Sequence, residues 1–185
     1  MQKILSLYAR NYDTDRLVRD EPVPGAEWVL TGEGVATRKW DGTSCLVRGG
    51  RLYRRYDAKK GRTPPADFEP AQEPDPVTGH HPGWVPVGEH SDDAHHREAW
   101  AAADRALPDG TYELIGPKVQ GNPEGTTSHQ LIRHGEAVLD DAPRDFAALR
   151  AYLEARPDME GLVWHHPDGR MVKLKRKDFF GSRRR

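Results

Sequence analysis

A pair of glycines between two β-prone runs is the strongest constraint on the fold of this chain. Gly49-Gly50 separates Cys45–Arg48 from Arg51–Tyr56, and two such residues are typical of the tight turn of a β-hairpin. A second hairpin is predicted near the C-terminus, where Glu160–Trp164 and Met171–Leu174 flank a Pro-Asp-Gly turn. Because hairpins pair their strands antiparallel, the sequence predicts a fold dominated by antiparallel sheet.

Shorter β-prone runs and two helical segments complete the prediction. Further strands are expected at Ile4–Tyr8, Val35–Thr37, Thr111–Ile115 and Val138–Leu139. Helices are expected over Asp92–Leu107, with Ser91 or Asp92 as the cap, and from Pro143 onwards. Residues 62–88 are rich in proline and glycine, which predicts a long irregular loop. We therefore expect one α+β domain over residues 1–182 and a basic tail over residues 183–185.

Lys39 stands two residues before an Asp-Gly pair, in the segment Thr37-Arg38-Lys39-Trp40-Asp41-Gly42. Joining two nucleic-acid ends requires an activated 5′-phosphate, and one solution stores a nucleotide on a lysine as a phosphoramidate. Such a lysine has to attack as the neutral amine, whereas its unperturbed pKa is ~10.4. Neighbouring cations or a bound metal lower that pKa, so a nucleophilic Lys39 needs one of them in its surroundings.

Lys173 and Lys175 can supply the cations. They lie two residues apart in a predicted strand, so their side chains share one face. There they can flank a triphosphate, neutralise charge on the transferred phosphorus and disfavour the protonated form of Lys39. The same pair also fits the exposed face of an edge strand, where lysines discourage aggregation.

Carboxylates and an arginine complete the predicted pocket. Asp41 and Glu160 offer hard oxygen ligands of the kind that suits Mg²⁺ or Mn²⁺. Glu113, at the end of a strand, is expected to accept hydrogen bonds from ribose hydroxyls. Arg55 can hold a phosphate or ribose through its planar guanidinium, whereas Arg54 is expected on the opposite face of the same strand.

The order of these residues resembles that of the covalent nucleotidyltransferases, the superfamily of ATP-dependent ligases and mRNA capping enzymes. The matching segments are Lys39-Trp40-Asp41-Gly42 (motif I), Tyr112-Glu113-Leu114-Ile115-Gly116 (motif III), Glu160-Gly161-Leu162-Val163 (motif IV) and Lys173-Leu174-Lys175 (motif V). The resemblance narrows to small RNA ligases of the vertebrate 5′–3′ RNA ligase 1 type. The runs that carry it are Arg55–Lys59, Glu113–Pro123, Leu131–Gly135 and Glu160–His165.

The resemblance implies an antiparallel-sheet nucleotidyltransferase domain, the ATP-grasp-like adenylation domain of ligases. Many relatives carry an additional OB-fold domain, but this sequence stops about ten residues after motif V, so we expect none here. The resemblance also implies three steps: Lys39 attacks ATP to form lysyl-AMP and pyrophosphate, AMP passes to an RNA 5′-phosphate, and a 3′-hydroxyl displaces it. The implied nucleotide-binding residues are Thr37, Arg38, Lys39, Arg55, Glu113, Glu160, Lys173 and Lys175. Asp41 and Glu160 are the implied ligands of Mg²⁺ or Mn²⁺.

Three alternatives share these features. Two of them, a DNA ligase and a capping-type guanylyltransferase, would use the same lysine chemistry. The DNA ligase would differ from an RNA ligase in its polymer, and the guanylyltransferase would use GTP instead of ATP. A nucleotide- or RNA-binding module without catalysis is the third. The presence of both the nucleophile and the metal carboxylates, Lys39, Asp41 and Glu160, argues against it.

Composition and charge add few constraints. The 28 basic and 29 acidic side chains leave a net charge of −1, so overall charge indicates no polyanionic partner. The single cysteine, Cys45, excludes an internal disulfide and suits a reducing compartment. Because no apolar run is long enough for a secretory signal or a membrane span, we expect a cytoplasmic protein, and we expect a monomer.

Two further groups of residues have side chains suited to binding. The acidic and histidine-rich run of His80, His81, His90, Asp92, Asp93, His95 and His96 invites a zinc hypothesis. A histidine-rich loop leading into a helix cap explains it more simply, and this is the interpretation we favour. His129 and Leu131 are candidates for the residue that stacks on adenine.

Overall fold

Twelve strands and three helices form in the residues that the computed structural model describes, 4–59, 61 and 63–181. The strands are β1 (Leu5–Ser6), β2 (Tyr8–Arg10), β3 (Val18–Pro22), β4 (Val35–Lys39), β5 (Thr43–Arg48), β6 (Arg51–Ala58), β7 (Glu69–Pro70), β8 (His81–Pro86), β9 (Gly110–Ile115), β10 (Gln130–Arg133), β11 (Gly161–His165) and β12 (Met171–Lys175). The helices are α1 (Ala94–Ala102), α2 (Phe146–Glu154) and α3 (Arg176–Phe180).

The strands form three sheets, and the pairing is antiparallel except between β1 and β12. A six-stranded sheet has the order β10-β9-β5-β6-β8-β7, and a four-stranded sheet has the order β1-β12-β11-β4. The β2–β3 hairpin is the third sheet. The predicted α+β fold with mostly antiparallel sheet is therefore confirmed. None of the helices in the described ranges is long and apolar enough to cross a membrane.

The described residues divide into two compact units. The six-strand unit comprises the described residues of 41–134, and the four-strand unit comprises residues 4–40 and 135–181. Each unit has a hydrophobic core of its own, the first around Tyr112 and Trp100 and the second around Trp164 and Leu149. A single domain over 1–182 stays a prediction, and the basic tail lies outside the described residues.

The predicted loop over residues 62–88 was wrong in part, because β7 and β8 lie within it. β8 pairs with β6 along its whole length and with β7 at Gly83 and Trp84. Pro82 and Pro86 flank the two positions that pair with β7, so their missing N–H groups leave that pairing intact. Proline content alone therefore misled the prediction.

Other differences concern boundaries and short elements. The predicted helix to Leu107 ends at Ala102, and neither Ser91 nor Asp92 caps it, since a separate 3₁₀ turn spans Ser91–Asp93. The second helix begins at Phe146 rather than Pro143, because the Asp145 carboxylate accepts the Ala148 N–H as its N-cap. Val138 forms only an isolated bridge to Thr37. The strands β3 and β10 and the helix α3 were not predicted.

Candidate active site

Three neighbouring strands of the four-strand unit bring the predicted lysines together. Lys39 on β4 and Lys175 on β12 both lie opposite Gly161 on the central strand β11. Two residues along, Thr37 and Lys173 both lie opposite Val163. Directly opposed residues point to the same side of an antiparallel sheet, so these side chains share one face.

The other face of the same strands forms part of the core. Leu162, Trp164, Val172 and Leu174 alternate with the residues of the lysine face and are all buried. This apolar set determines which residues of β11 and β12 point away from the core, because a shift by one residue would bury the lysines. Packing on one side of the sheet thus positions the charges on the other.

Glu160 joins two of the lysines through both oxygens of its carboxylate. Oε2 lies 2.6 Å from Lys39 Nζ, and Oε1 lies 2.6 Å from Lys175 Nζ. All three side chains are largely buried, with exposed fractions of 19% for Lys39, 20% for Lys175 and 11% for Glu160. The predicted nucleophile, Lys39, is therefore ion-paired with Glu160.

The charges on this face change the acidity of its members. Burial favours the neutral form of Glu160, but the ammonium groups of Lys39 and Lys175 outweigh it and lower the pKa of the carboxyl. Burial, followed by repulsion from Lys175 and Lys39, lowers the pKa of Lys173 to about 8. Lys173 can therefore lose its proton near pH 8.

Gly161 allows β11 and β12 to approach closely at this point. A Cβ atom at Gly161 would lie 2.1 Å from the Leu174 carbonyl oxygen and 2.8 Å from Lys175 Cα. Both neighbours are backbone atoms, so no rotamer change could relieve the collision. The pairing of β11 with β12, the strand that contains Lys175, therefore requires a glycine at position 161.

Thr37 and Arg38, both predicted to bind nucleotide, are placed differently. The Thr37 hydroxyl is buried, donates to the Val163 carbonyl at 3.1 Å and contacts His165 Nε2 at 3.1 Å. Arg38 lies on the opposite face of β4 from Lys39, where its guanidinium stacks 4.3 Å from the centre of the Trp40 ring. Nucleotide contacts by either residue stay predictions.

Arg55 and Glu113 share one face of the six-stranded sheet. Cys45 of β5 lies opposite Arg54 of β6 and opposite Tyr112 of β9, so these three side chains share one face of the sheet. This is the core face, because Cys45 and Tyr112 belong to the hydrophobic core. The next residues in each strand, Arg55 and Glu113, therefore point to the other face. As predicted, Arg54 is turned away from them, and its Nε lies 2.7 Å from the Asp93 carboxylate.

The Glu113 carboxylate is held in place by groups on both of its oxygens. The Gly42 N–H donates to Oε1 at 3.1 Å, and His134 Nε2 lies 2.9 Å from Oε2. The other ring nitrogen of His134 lies 3.0 Å from the Thr111 hydroxyl. His134 was not predicted as a site residue, although it lies in the run Leu131–Gly135 that carried part of the resemblance.

The carboxylates fit the chemistry of a hard divalent cation. The lowered pKa of Glu160 keeps its carboxylate ionised, as a ligand of Mg²⁺ has to be. Asp41 follows Trp40 in the chain, and its backbone N–H donates to the Glu124 carboxylate at 2.9 Å. Asp41 and Glu160 belong to different units, and their role as metal ligands stays a prediction.

The two candidates for adenine stacking have packing partners in the six-strand unit. His129 is 6% exposed, and its ring stacks on that of His95 with centroids 4.3 Å apart. Leu131 packs against the core of the unit. Both side chains contribute to packing here.

Comparison with known proteins identifies similar sequences of one kind. The family model described as RNA ligase 1 matches residues 88–182. A protein named RNA ligase 1 from Danio rerio is 29% identical over an alignment of 130 positions, which includes 53% of this chain and 40% of that protein. The RNA ligase 1 of Pongo abelii is 31% identical over an alignment of 130 positions, again with 53% of this chain and 40% of that protein. The RNA ligase 1 of Rattus norvegicus is 27% identical over an alignment of 215 positions, which includes 77% of this chain and 66% of that protein.

These matches have a limited extent. The chain spans 40% of the length of the Danio rerio and Pongo abelii relatives. The family match includes Glu113, Glu160, Lys173 and Lys175, whereas Lys39 and Asp41 lie before its first residue.

Proposed function

Because the chain belongs to the RNA ligase 1 family, we propose that it is an ATP-dependent RNA ligase that seals 5′-phosphate and 3′-hydroxyl ends through a covalent lysyl-AMP. The single observation that supports this chemistry best is the Glu160 carboxylate, which lies 2.6 Å from both Lys39 and Lys175. A structural ion pair requires only one lysine beside Glu160. Three lysines on one sheet face instead suit a site that binds phosphate groups.

In the first step, the Lys39 amine attacks the α-phosphorus of ATP. The N–P bond forms, the bond to pyrophosphate breaks, and the amine proton leaves to solvent. Lys39 first has to separate from Glu160, and the positive charges of Lys175 and Lys173 then lie on the face where negative charge develops. Lys175 can keep Glu160 ionised while Lys39 is released, because it holds the other carboxylate oxygen.

A divalent cation, when bound, would neutralise charge on the phosphates. Glu160 and Asp41 are the proposed ligands, either directly or through water. In the six-strand unit, Glu113 is the proposed acceptor for ribose hydroxyls, since Gly42 and His134 hold its carboxylate in one orientation. Arg55 is the proposed contact to ribose or phosphate.

The second and third steps complete the transfer. An oxygen of the RNA 5′-phosphate attacks the phosphorus of lysyl-AMP, which breaks the N–P bond and regenerates the Lys39 amine. A 3′-hydroxyl then attacks the RNA 5′-phosphate, a phosphodiester forms, and AMP leaves. The 3′-hydroxyl proton leaves to solvent, and the Lys39 amine takes up a proton from solvent before it returns to its ion pair with Glu160.

Intact mass spectrometry after incubation with ATP and Mg²⁺ tests the first step. We expect the protein to gain the mass of one adenylate, and peptide mapping to locate it on Lys39. Lys39→Arg is the matched control, because it keeps a cation beside Glu160 but removes the nucleophilic amine. An adenylate on another side chain, or its persistence in Lys39→Arg, would contradict the proposal.

Parallel incubations separate the alternatives. Labelling from ATP but not GTP is expected of a ligase, whereas labelling from GTP would favour a capping-type guanylyltransferase. Sealing of a nicked RNA in preference to the same nick in DNA is expected of an RNA ligase. A chain that binds ATP without labelling at any pH would be a binding module.

A further inference from the structure

A cluster of potential metal ligands lies in the six-strand unit, and one of its members, His129, is also a candidate for adenine stacking. His95 and Glu98 stand three residues apart on α1, so they share one face of the helix. His129 immediately precedes β10. One ligand atom of each residue lies within 4.8 Å of the ligand atoms of the other two.

The two ring nitrogens of His129 have different surroundings, one facing Glu98 and the other unpaired in the part of the chain that the structure describes. Its Nδ1 lies 2.8 Å from a Glu98 carboxylate oxygen, and its ring is 94% buried against surroundings that include the ring of His95. Its Nε2 is also buried and has no hydrogen-bond partner among the described residues. A buried imidazole nitrogen without a partner is unusual, because burial of an unpaired polar atom is unfavourable.

His96, the next residue on α1, adds to this pattern. Both of its ring nitrogens are buried and lack a hydrogen-bond partner within the described part of the chain. Within the described ranges, buried ring nitrogens without a partner thus occur both on α1 and in the segment before β10.

We propose that His95, Glu98 and His129 bind a divalent transition-metal ion of the Zn²⁺ type. Two imidazoles and one carboxylate form a ligand set that zinc accepts, with the fourth position left to water. Bonds of about 2.0–2.2 Å place tetrahedral ligand atoms about 3.3–3.6 Å apart. The 2.8 Å contact between Glu98 and His129 therefore has to open, and any separation near the 4.8 Å limit of the cluster has to close. Glu98 is exposed and His95 is half-buried, so both can move relative to the buried His129.

Binding requires one specific rearrangement. The rings of His95 and His129 are stacked with an angle of 17° between their planes, and stacked rings direct their nitrogen lone pairs alongside each other rather than at one point. The His95 ring therefore has to turn out of the stack when it ligates the ion. The bound ion would link α1 to the start of β10 and so stabilise the six-strand unit.

Metal titration of the chelator-treated full chain, without ATP, tests this proposal. We expect one equivalent of Zn²⁺ or Co²⁺ to be retained, a rise in the unfolding temperature with Zn²⁺ concentration, and the intense visible bands of four-coordinate Co²⁺. His95→Ala and Glu98→Gln should each weaken binding roughly tenfold or more. Both positions are partly or fully exposed, so these variants test the site without emptying the core.

The control is His80→Ala, which removes an exposed histidine of the same histidine-rich region. It should bind Co²⁺ like the unaltered chain, with the same spectrum. Retention of less than one equivalent by the unaltered chain, a six-coordinate Co²⁺ spectrum, or equal affinities in His95→Ala and the control would overturn the proposal. Because no nucleotide or RNA is present, these outcomes are separate from success or failure of the ligase proposal.

Discussion

At the scale of single residues, Glu160 is the counter-charge on which the arrangement of the lysines depends. Its carboxylate lies between two ammonium groups at 2.6 Å each, and Lys173 is a third lysine on the same face. With Glu160 removed, these lysines lose their common anionic partner on a largely buried surface. Truncating one partner of a buried ion pair is costly, because the remaining charge stays desolvated.

Glu160→Gln should therefore affect stability and chemistry together. We expect the free energy of unfolding to fall by about 1–3 kcal/mol and lysyl-AMP formation to fall at least tenfold. Added salt should restore part of the stability by screening the lysines, but not the labelling. Urea unfolding and adenylate labelling measure the two effects, with the exposed Glu154→Gln of α2 as the control. Full labelling of Glu160→Gln would remove the metal role from this residue.

Lys173 predicts a pH dependence of stability. Its pKa is lowered to about 8 in the folded chain and returns to its ordinary value near 10.5 on unfolding. Between these values the unfolded state binds more protons, so this residue makes stability rise with pH; below pH 8 its destabilising effect is complete and constant. Lys173→Met removes the titrating ammonium group and, with it, the destabilisation caused by burying its charge.

We therefore expect Lys173→Met to be more stable than the unaltered chain at pH 7, by about 1–3 kcal/mol. The difference should shrink as the pH rises from 8 towards 10. Urea titrations of both proteins across this range give the difference directly, and contributions from other lysines cancel. A stability difference that does not change with pH would contradict a buried, charged Lys173.

At the scale of elements, close backbone approach at Gly161 determines the pairing of β11 and β12. Gly161→Ala places a methyl group 2.1 Å from the Leu174 carbonyl oxygen, which only a shift of one strand can relieve. We expect a loss of about 1–3 kcal/mol in the free energy of unfolding and a matching loss of lysyl-AMP formation, because Lys175 lies directly opposite. Gly88→Ala is the control, since the nearest atom to its added Cβ is 3.8 Å away. Equal stability of the two variants would show that the approach is not a constraint.

Elements with local signals were predictable, and those with distant partners were not. The Gly49-Gly50 hairpin was predictable because a two-residue turn of this kind requires positive φ, which glycine adopts readily. In the structure the two φ angles are +57° and +71°. β8 was missed because its strand conformation comes from pairing with β6, more than twenty residues earlier, and its prolines suggested a loop. Likewise, β10 gains its structure by pairing with β9.

The same distinction applies to the candidate site. Residue types and their order predicted Lys39, Glu160, Lys173 and Lys175, and alternation along a strand predicted that Arg54 and Arg55 face opposite ways. The Glu160 bridge was not predictable, because strand register brings positions 39, 160 and 175 together across more than 120 residues. The support of Glu113 by His134 depends in the same way on the pairing of β9 with β10.

At the scale of the whole molecule, the near balance of 28 basic and 29 acidic side chains means that RNA attraction depends on where cations cluster. Arg183–Arg185 is the densest run of arginines in the sequence. Each cation that neutralises a phosphate of a single strand contributes about −0.7 to the slope of log affinity against log salt concentration. Deletion of the three arginines should therefore weaken RNA binding most at low salt and reduce the slope by up to about 2.

Lysyl-AMP formation should not change on this deletion, because the first step involves ATP and not RNA. Replacement of all three arginines by lysine is the matched control: it keeps the charge, so binding and salt slope should be retained if the attraction is purely electrostatic. Filter binding of a single-stranded RNA at several salt concentrations measures the slope, and adenylate labelling measures the first step. An unchanged slope after deletion would mean that RNA contacts lie elsewhere, whereas a loss in the lysine variant would indicate that the guanidinium groups make specific contacts.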